Sequence, residues 1–495
     1  MSATSPDEAA TGAAAATREA VIGLEVHVQL DTVSKLFCRC RSRFGAPPNT
    51  DICPVCTGQP GSLPVLNEDA LRRGVLACLA LGSVVDDTTA FDRKNYAYPD
   101  LPKGYQITQV ARPLGRGGRL TYHLPDGAAR TLTLERLHLE EDAGKTLHPP
   151  EEAVSLVDLN RAGRPLLEVV TAPTITSPAE AVAALRALRR LLRHAGVARC
   201  DMEKGAFRCD VNVSLRGADG APGTRTEVKN LNSFRFVGGA LEAELTRQGA
   251  LLDAGEEVRS ETLGYAPDTG RTHALRDKEA GRDYRVFPEP DLPPVALDPA
   301  WVAALGETIP ELPEARRARY VETLGLPPRD ADALLDEPGL ALLFDEAVER
   351  TGLPKPTANW TLVELRRLAS ERGCAVDALS LSAERLAELV TLVDAGAVSV
   401  GVARELAAAL EERPELTARE LAEERDLLQV TDEAALRTVV EAVVARETEL
   451  VERYRGGHPG PLDALLGAAL AETGGRGAPR TLRRLLEERL GPPGA

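Results

Sequence analysis

The sequence predicts an α+β protein: an N-terminal domain on a largely antiparallel sheet with a zinc knuckle, then an all-α helical domain and an α-helical tail domain. Three observations predict it. Segments in the first half alternate apolar and polar residues at period two, the second half is rich in Ala, Leu, Glu and Arg at amphipathic helical spacing, and a proline-dense stretch, "FPEPDLPPVALDP" (287–299), lies between them. Strands with one apolar and one strongly polar face belong to a sheet with an open side.

The elements follow in order. Residues 1–17 are rich in Ala, Ser, Thr and Glu, without a basic region followed by an apolar one, so they read as a disordered tail and not as a signal peptide. "VIGLEVHVQL" places Leu24, Val26, Val28 and Leu30 on one face and Glu25, His27 and Gln29 on the other. "RCDVNVSL" does the same, with Cys209, Val211, Val213 and Leu215 opposite Arg208, Asp210, Asn212 and Ser214. "RTEVKNLNSF" is a third such segment. Between them "SPAEAVAALRALRRLLRHAG" is a helix, with Ser177 as N-cap, Pro178 in its first position and Gly196 as its stop. The proline-dense stretch marks a domain boundary. Beyond it, "SAERLAELVTLVDAG", "SVGVARELAAALEERP" and "TDEAALRTVVEAVVARETELVERYRGG" each read as one amphipathic helix. The expected domains are 18–293, 294–405 and 406–495.

Composition narrows the function. Of 495 residues, 59 are Lys or Arg and 75 are Asp or Glu, so 59 − 75 gives a net charge of −16. That balance excludes a protein that coats nucleic acid by bulk positive charge, although not a local basic patch. Aromatic residues, at 4%, are too few for broad base-stacking platforms. The longest apolar run, 74–85, is too short to cross a bilayer. The expectation is a cytoplasmic protein with neither membrane nor DNA as partner, whose eight cysteines serve as thiols or metal ligands.

Two constellations carry chemistry. Cys38 and Cys40 are followed by Cys53 and Cys56 in "CPVC", two close pairs that can place four thiolates around a structural zinc. The polar faces of the N-terminal strands supply acids from distant segments: Glu25 beside His27; Glu140, Glu141 and Asp142; Asp158 and Glu168; Asp210 beside Asn212. Such a set suits a hard cation such as Mg²⁺; a solvated sheet face is the competing reading. "EEDAGKT" ends like a phosphate loop but has Leu139 where the leading glycine belongs, and no amidase signature occurs.

At "VIGLEVHVQL", "FDRKNYAYPDLPKGYQITQ", "HLEEDAGK", "SLVDLNRAGRPLLEVV", "RCDVNVSL", "EVKNLNSFRF" and "DYRVFPEPDLPP", the sequence resembles the B subunit of the bacterial tRNA-dependent amidotransferase, a ligase that converts Glu-tRNA(Gln) to Gln-tRNA(Gln) or Asp-tRNA(Asn) to Asn-tRNA(Asn). The resemblance implies a cradle-like catalytic domain. It implies ATP-dependent phosphorylation of the mischarged side-chain carboxylate and attack of ammonia on the acyl phosphate. It implies Glu25, His27, Glu141, Glu168 and Asp210 as catalytic Mg²⁺ ligands, with Arg93, Lys94 and Lys229 as candidates for the phosphates or the tRNA 3′ end. Tyr96, Tyr98 and Tyr105 are candidates to stack on a terminal adenine. Partners would be a glutaminase A subunit, a small C subunit (together a heterotrimer) and the mischarged tRNA. The tail lacks the family's usual lysines, leaving Arg455, Arg476 and Arg480 for any tRNA contact; Arg186, Arg189, Arg190 and Arg193 on the first-half helix are further candidates. A non-catalytic, zinc-braced tRNA-binding scaffold in the same complex is the alternative. An archaeal-type paralogue would carry a large inserted domain, which this chain does not contain.

Overall fold

The computed structural model describes residues 18–149, 153–217, 220–276, 284–429 and 432–494; the expected tail at 1–17 lies outside them. The described chain forms two compact units, one ending at Ala315 and one beginning at Arg316.

Among the described residues, the first unit is built on a nine-stranded sheet. Ala20–Gln29 lies at its centre, antiparallel to Phe207–Leu215 on one side and Pro165–Thr171 on the other. Ala129–Glu141 pairs with the outer edge of Pro165–Thr171, and Thr226–Leu231 with the outer edge of Phe207–Leu215. Glu227 and Val228 pair with Thr262 and Leu263 in parallel, so the sheet is antiparallel with one exception. Val26, Val28, Val211, Val213, Leu167 and Leu139 are fully buried in one core. That core is closed by the helices Glu68–Ala80, Pro178–His194 and Phe234–Asp253. Their apolar side chains leave the opposite face of the sheet free for polar groups.

The Pro178–His194 helix forms where its punctuation places it. Ser177 accepts from the Glu180 amide, Pro178 occupies the first turn, and Gly196 takes φ 69° just past the end. Its arginines are engaged with the protein: Arg186 lies over the Phe234 ring and Arg189 donates to the Cys200 carbonyl.

The proline-dense stretch belongs inside the first unit. Phe287–Pro288 pairs with Arg93 and Asp92, and Val295–Ala296 pairs with Thr89 and Thr88. The following helix, Pro299–Gly306, packs Trp301, Val302 and Leu305 onto the same core. The unit therefore extends past the expected edge at 293. Its prolines interrupt longer pairing but do not prevent two-residue edge strands.

The second unit is helical, with two 5-residue π-helical turns, Arg319–Thr323 and Trp360–Glu364. Ser382 and Ser399 cap Ala383–Asp394 and Val400–Leu410. The expected edge at 405/406 falls inside the latter helix, whose Ala403, Leu406, Ala407 and Leu410 share one buried face. The apolar clusters separate later, between Leu428 and Leu436. The last expected helix is two, Glu433–Arg446 and Thr448–Arg455, because Glu447 leaves helical geometry at ψ 51°. That break lets Val451 and Tyr454 join the cluster that contains Leu436, Val440 and Leu465. Among the described residues no helix is long and apolar enough to cross a membrane.

A fragment of residues 18–315 should melt in one cooperative step. Ending it at 293 removes the buried Leu305, at about 1.5–3 kcal/mol, and the half-buried Trp301 and Val302 from the core. A melting temperature unchanged by that truncation, measured by calorimetry, would contradict the placement of this helix.

Candidate active site on the open face of the sheet

The antiparallel register sets the site. Arg208, His27, Glu168 and His138 stand opposite one another across four adjacent strands, forming one row. Glu140 lies two residues along from His138, on the same face. His27 Nε2 is 3.5 Å from both Glu140 Oε1 and Glu168 Oε2. His138 Nε2 is 3.2 Å from Glu168 Oε2 and 3.7 Å from Glu140 Oε2. Thr108 Oγ1 donates to Glu140 Oε2 at 3.3 Å.

These groups line a cavity of about 550 Å³. Glu25, Asp210 and Lys229 form a second cluster in its wall. Glu25 Oε1 accepts from Asn212, and Lys229 Nζ lies 3.1 Å from Glu227 Oε1 and 3.6 Å from Asp210 Oδ2. Lys94 and Arg136 also line the cavity and have no carboxylate partner among the described residues.

Burial opposes charge on His27, but its hydrogen bond to Glu168 and the field of Glu140 push the imidazole up to about 9. The same balance, burial against hydrogen bonds to Glu140 and Glu168, pushes His138 up to about 9. Burial also works against an ionised Glu168, and the two imidazoles outweigh it and hold the carboxyl well below its ordinary range. Burial and the neighbouring Glu168 charge raise Glu25, against the hydrogen bond from Asn212. Without a cation, the two imidazoliums thus offset the Glu168 carboxylate.

The ligand atoms of His27, Glu140 and Glu168 all lie within 4.8 Å of one another. Two carboxylate oxygens and one imidazole, with open cavity beside them, fit an oxygen-preferring divalent cation that keeps some of its water. The sequence-derived ligand set is thus partly assembled. Glu25, His27, Glu168 and Asp210 reach the cavity, but Glu141 does not. Its side chain lies on the core side, where Lys103 and the Ile107 amide bind it. Glu140 takes its place. The signal was present in "ERLHLEED": Leu137, Leu139 and Glu141 share one parity, Arg136, His138 and Glu140 the other. The same alternation would have found Arg136 and His138. Arg93 is also removed from the candidates, because Glu289 and Asp291 bind its guanidinium and the Tyr105 ring lies 4.2 Å beneath it. Tyr96 lines the cavity, whereas Tyr105 is covered by Arg93 and Lys103. Arg476 pairs with Asp426.

Away from this face, the sulfurs of Cys38, Cys40, Cys53 and Cys56 also lie within 4.8 Å of one another. The Cys53–Cys56 separation of 3.9 Å matches the roughly 3.8 Å expected between sulfurs on a tetrahedral zinc. Hydrogen bonding with Cys38, opposed by burial, holds the Cys56 thiol well below its ordinary value, and the Cys53 amide and Lys35 ammonium add to this. Lys35 is fully buried, with Nζ 3.5 Å from Cys56 Sγ. Asp158 and Asn160 clamp the intervening loop through the Asn49 and Asp51 amides.

Both constellations fall within one family match: the GatB/GatE catalytic domain covers residues 20–303, and a GatB domain covers 342–490. The chain belongs to the GatB family. It is 46% identical over 476 residues to the B subunit of the aspartyl/glutamyl-tRNA(Asn/Gln) amidotransferase of Thermus thermophilus, covering 96% of this chain and 99% of that one. Proteins of the same name from Nitratidesulfovibrio vulgaris and Moorella thermoacetica are 45% and 44% identical, over 96% and 95% of this chain and 100% and 99% of their own. The GatB catalytic match thus encloses the acid row, the cysteine cluster and the proline-dense stretch, in agreement with a first unit that runs past 293.

Two outcomes test this geometry. Glu140→Gln and Glu168→Gln should each weaken Mn²⁺ binding, followed by electron paramagnetic resonance, by at least about 10–100-fold. Glu141→Gln should leave it within about threefold and instead lower thermal stability, because it strands Lys103. The metal-free protein should also be pH-sensitive. His138 is raised from 6.5 to about 9, so its contribution to stability is complete below 6.5 and lost as pH rises through 9. Melting curves between those values should fall less steeply in His138→Gln.

Proposed function

We propose that this chain is the subunit of an aspartyl/glutamyl-tRNA amidotransferase that activates and amidates the side-chain carboxylate of Glu-tRNA(Gln), Asp-tRNA(Asn) or both. The observation that carries the reading is the acid–imidazole row in a cavity whose wall also holds Lys94, Arg136 and Lys229. A free carboxylate is a poor electrophile because resonance stabilises it. Transfer of the γ-phosphoryl group of ATP to its oxygen gives an acyl phosphate and ADP. Ammonia then adds to the acyl carbon, inorganic phosphate leaves, a proton is lost, and the amide remains.

Phosphoryl transfer demands positioning and charge neutralisation more than covalent help from the protein. A divalent cation, when bound, would supply positive charge to offset the charge that develops on the transferred phosphoryl group. His27, Glu140 and Glu168 would hold it, with Mg²⁺ the ion that fits a nucleotide substrate. Lys94 and Arg136, free of carboxylate partners among the described residues, would meet polyphosphate oxygens at the wall. Asp210 and Glu227 keep the Lys229 ammonium beside Glu25. The cysteine cluster would hold a structural zinc, since four protein ligands leave no open position for chemistry.

The relatives are named as one lettered subunit of an amidotransferase, which supports work within a multi-subunit complex. A glutaminase A subunit would supply ammonia and a small C subunit would brace the pair. Channelled ammonia avoids protonation in water, which would remove its nucleophilic lone pair. The compartment would be the cytoplasm, where mischarged tRNA is made.

The test is to purify the tagged chain with its partners and assay amidation of Glu-tRNA(Gln) and Asp-tRNA(Asn) with and without ATP. Activity on at least one tRNA, dependent on ATP and reduced about 100-fold or more by Glu168→Gln, is expected. A complex that amidates normally with Glu168→Gln would return the chain to a scaffold role.

A further inference from the structure

Beside the carboxylate cavity lies another of about 530 Å³, and Arg208 and Asn230 line both. It is built from the "GKT" fragment that fails as a phosphate loop. Lys145–Leu147 continues as a strand paired with Leu156–Asp158, where a phosphate loop would need a helix. Gly144 passes between this hairpin and the turn at Tyr98–Leu101, donating its amide to the Asp100 carbonyl at 2.8 Å. A Cβ there would stand 2.9 Å from the Asp158 carbonyl oxygen and 3.0 Å from that of Asp100, so the position requires glycine. The turn and the hairpin are thereby locked together, bringing Tyr98, Lys145, Thr146 and His148 to one cavity.

The chemistry of the lining selects a ligand class. Among the described residues Asp100 is its one acid, against Lys145, Arg161 and Arg208. Both arginines are committed: Arg161 to the carbonyls of Ala143 and Gly144, Arg208 to Asp142. Lys145 is exposed and has no side-chain partner among the described residues, so its ammonium is available to an anion. Thr146 Oγ1 is buried and without a hydrogen-bond partner among the described residues. Tyr98 is 54% exposed at the same cavity. A cation, an unsatisfied hydroxyl and an available aromatic ring together match a phosphate, a sugar hydroxyl and a base. The volume falls within the roughly 300–1,000 Å³ of ordinary small-molecule sites.

We infer that this second cavity receives an adenosine 5′-phosphate group, with its ring against Tyr98 and its phosphate at Lys145. The inference rests on the amidation reading, in which two such groups approach the carboxylate cavity: that of ATP and that of the tRNA's terminal nucleotide, which carries the amino acid. Arg208 and Asn230 line both cavities, so a ligand seated here borders the carboxylate cavity.

The test uses the assembled amidotransferase with ATP and mischarged tRNA as the probes. Lys145→Gln and Tyr98→Leu should each raise one KM about 5–20-fold, with kcat within about twofold, and Tyr98→Phe should retain the wild-type value. A rise in the KM for ATP assigns the cavity to the free nucleotide, and a rise in the KM for tRNA assigns it to the 3′ terminus. Both variants leaving both KM values unchanged would overturn the inference while wild-type activity kept the amidation reading intact. A wild-type complex inactive on either tRNA would instead defeat that reading.

Discussion

The candidate site depends on one strand register, held by the apolar core and carried across neighbouring antiparallel strands. His27, Glu168 and His138 face one another because Ala20–Gln29, Pro165–Thr171 and Ala129–Glu141 pair in one register. A one-residue slip would send all three into the apolar core and bring Val and Leu side chains to the open face. The fully buried Val26, Val28, Leu167 and Leu139 resist that slip. The hydrophobic core is therefore what positions the polar site, although no core side chain belongs to it.

The end of the row is held by the cysteine-bearing loop. Gly58 packs so closely on Lys103 that a Cβ would stand 2.6 Å from Lys103 Cγ. Lys103 in turn binds Glu141 on the core side of the strand whose open side bears Glu140. Gly163, at φ 80°, passes 3.4 Å from Cys56 Cβ by the same measure, tying the Pro165–Thr171 strand's approach to the cluster. A metal at the four sulfurs would stiffen this loop and, through Lys103, the strand end that presents Glu140.

The two cavities divide the charge problem. In the metal-free row the raised imidazoles sit against Glu168, so a cation bound there competes with protons on His27. The neighbouring cavity has the opposite character, with cations in excess and an available hydroxyl. A net charge of −16 is compatible with nucleotide and tRNA ligands because their phosphates meet local basic groups instead of the average surface.

Local patterns were legible without coordinates. Period-two alternation told which side chains of "VIGLEVHVQL" and "RCDVNVSL" face the core, and Ser177, Pro178 and Gly196 bounded their helix. The same arithmetic, applied to "ERLHLEED", separates Glu140 from Glu141; both residues are acids, and only parity distinguishes them. Other features had no local signature. That Glu289 and Asp291 would neutralise Arg93 depends on strands almost 200 positions apart pairing at the sheet's side. That the helix Pro299–Gly306, after the proline-rich stretch, would close the first unit depends on an apolar surface which the Glu68–Ala80 helix offers only once folded. Side-chain parity is a property of one strand, written in its own residues; partnership and enclosure arise between strands, and only long-range packing selects them.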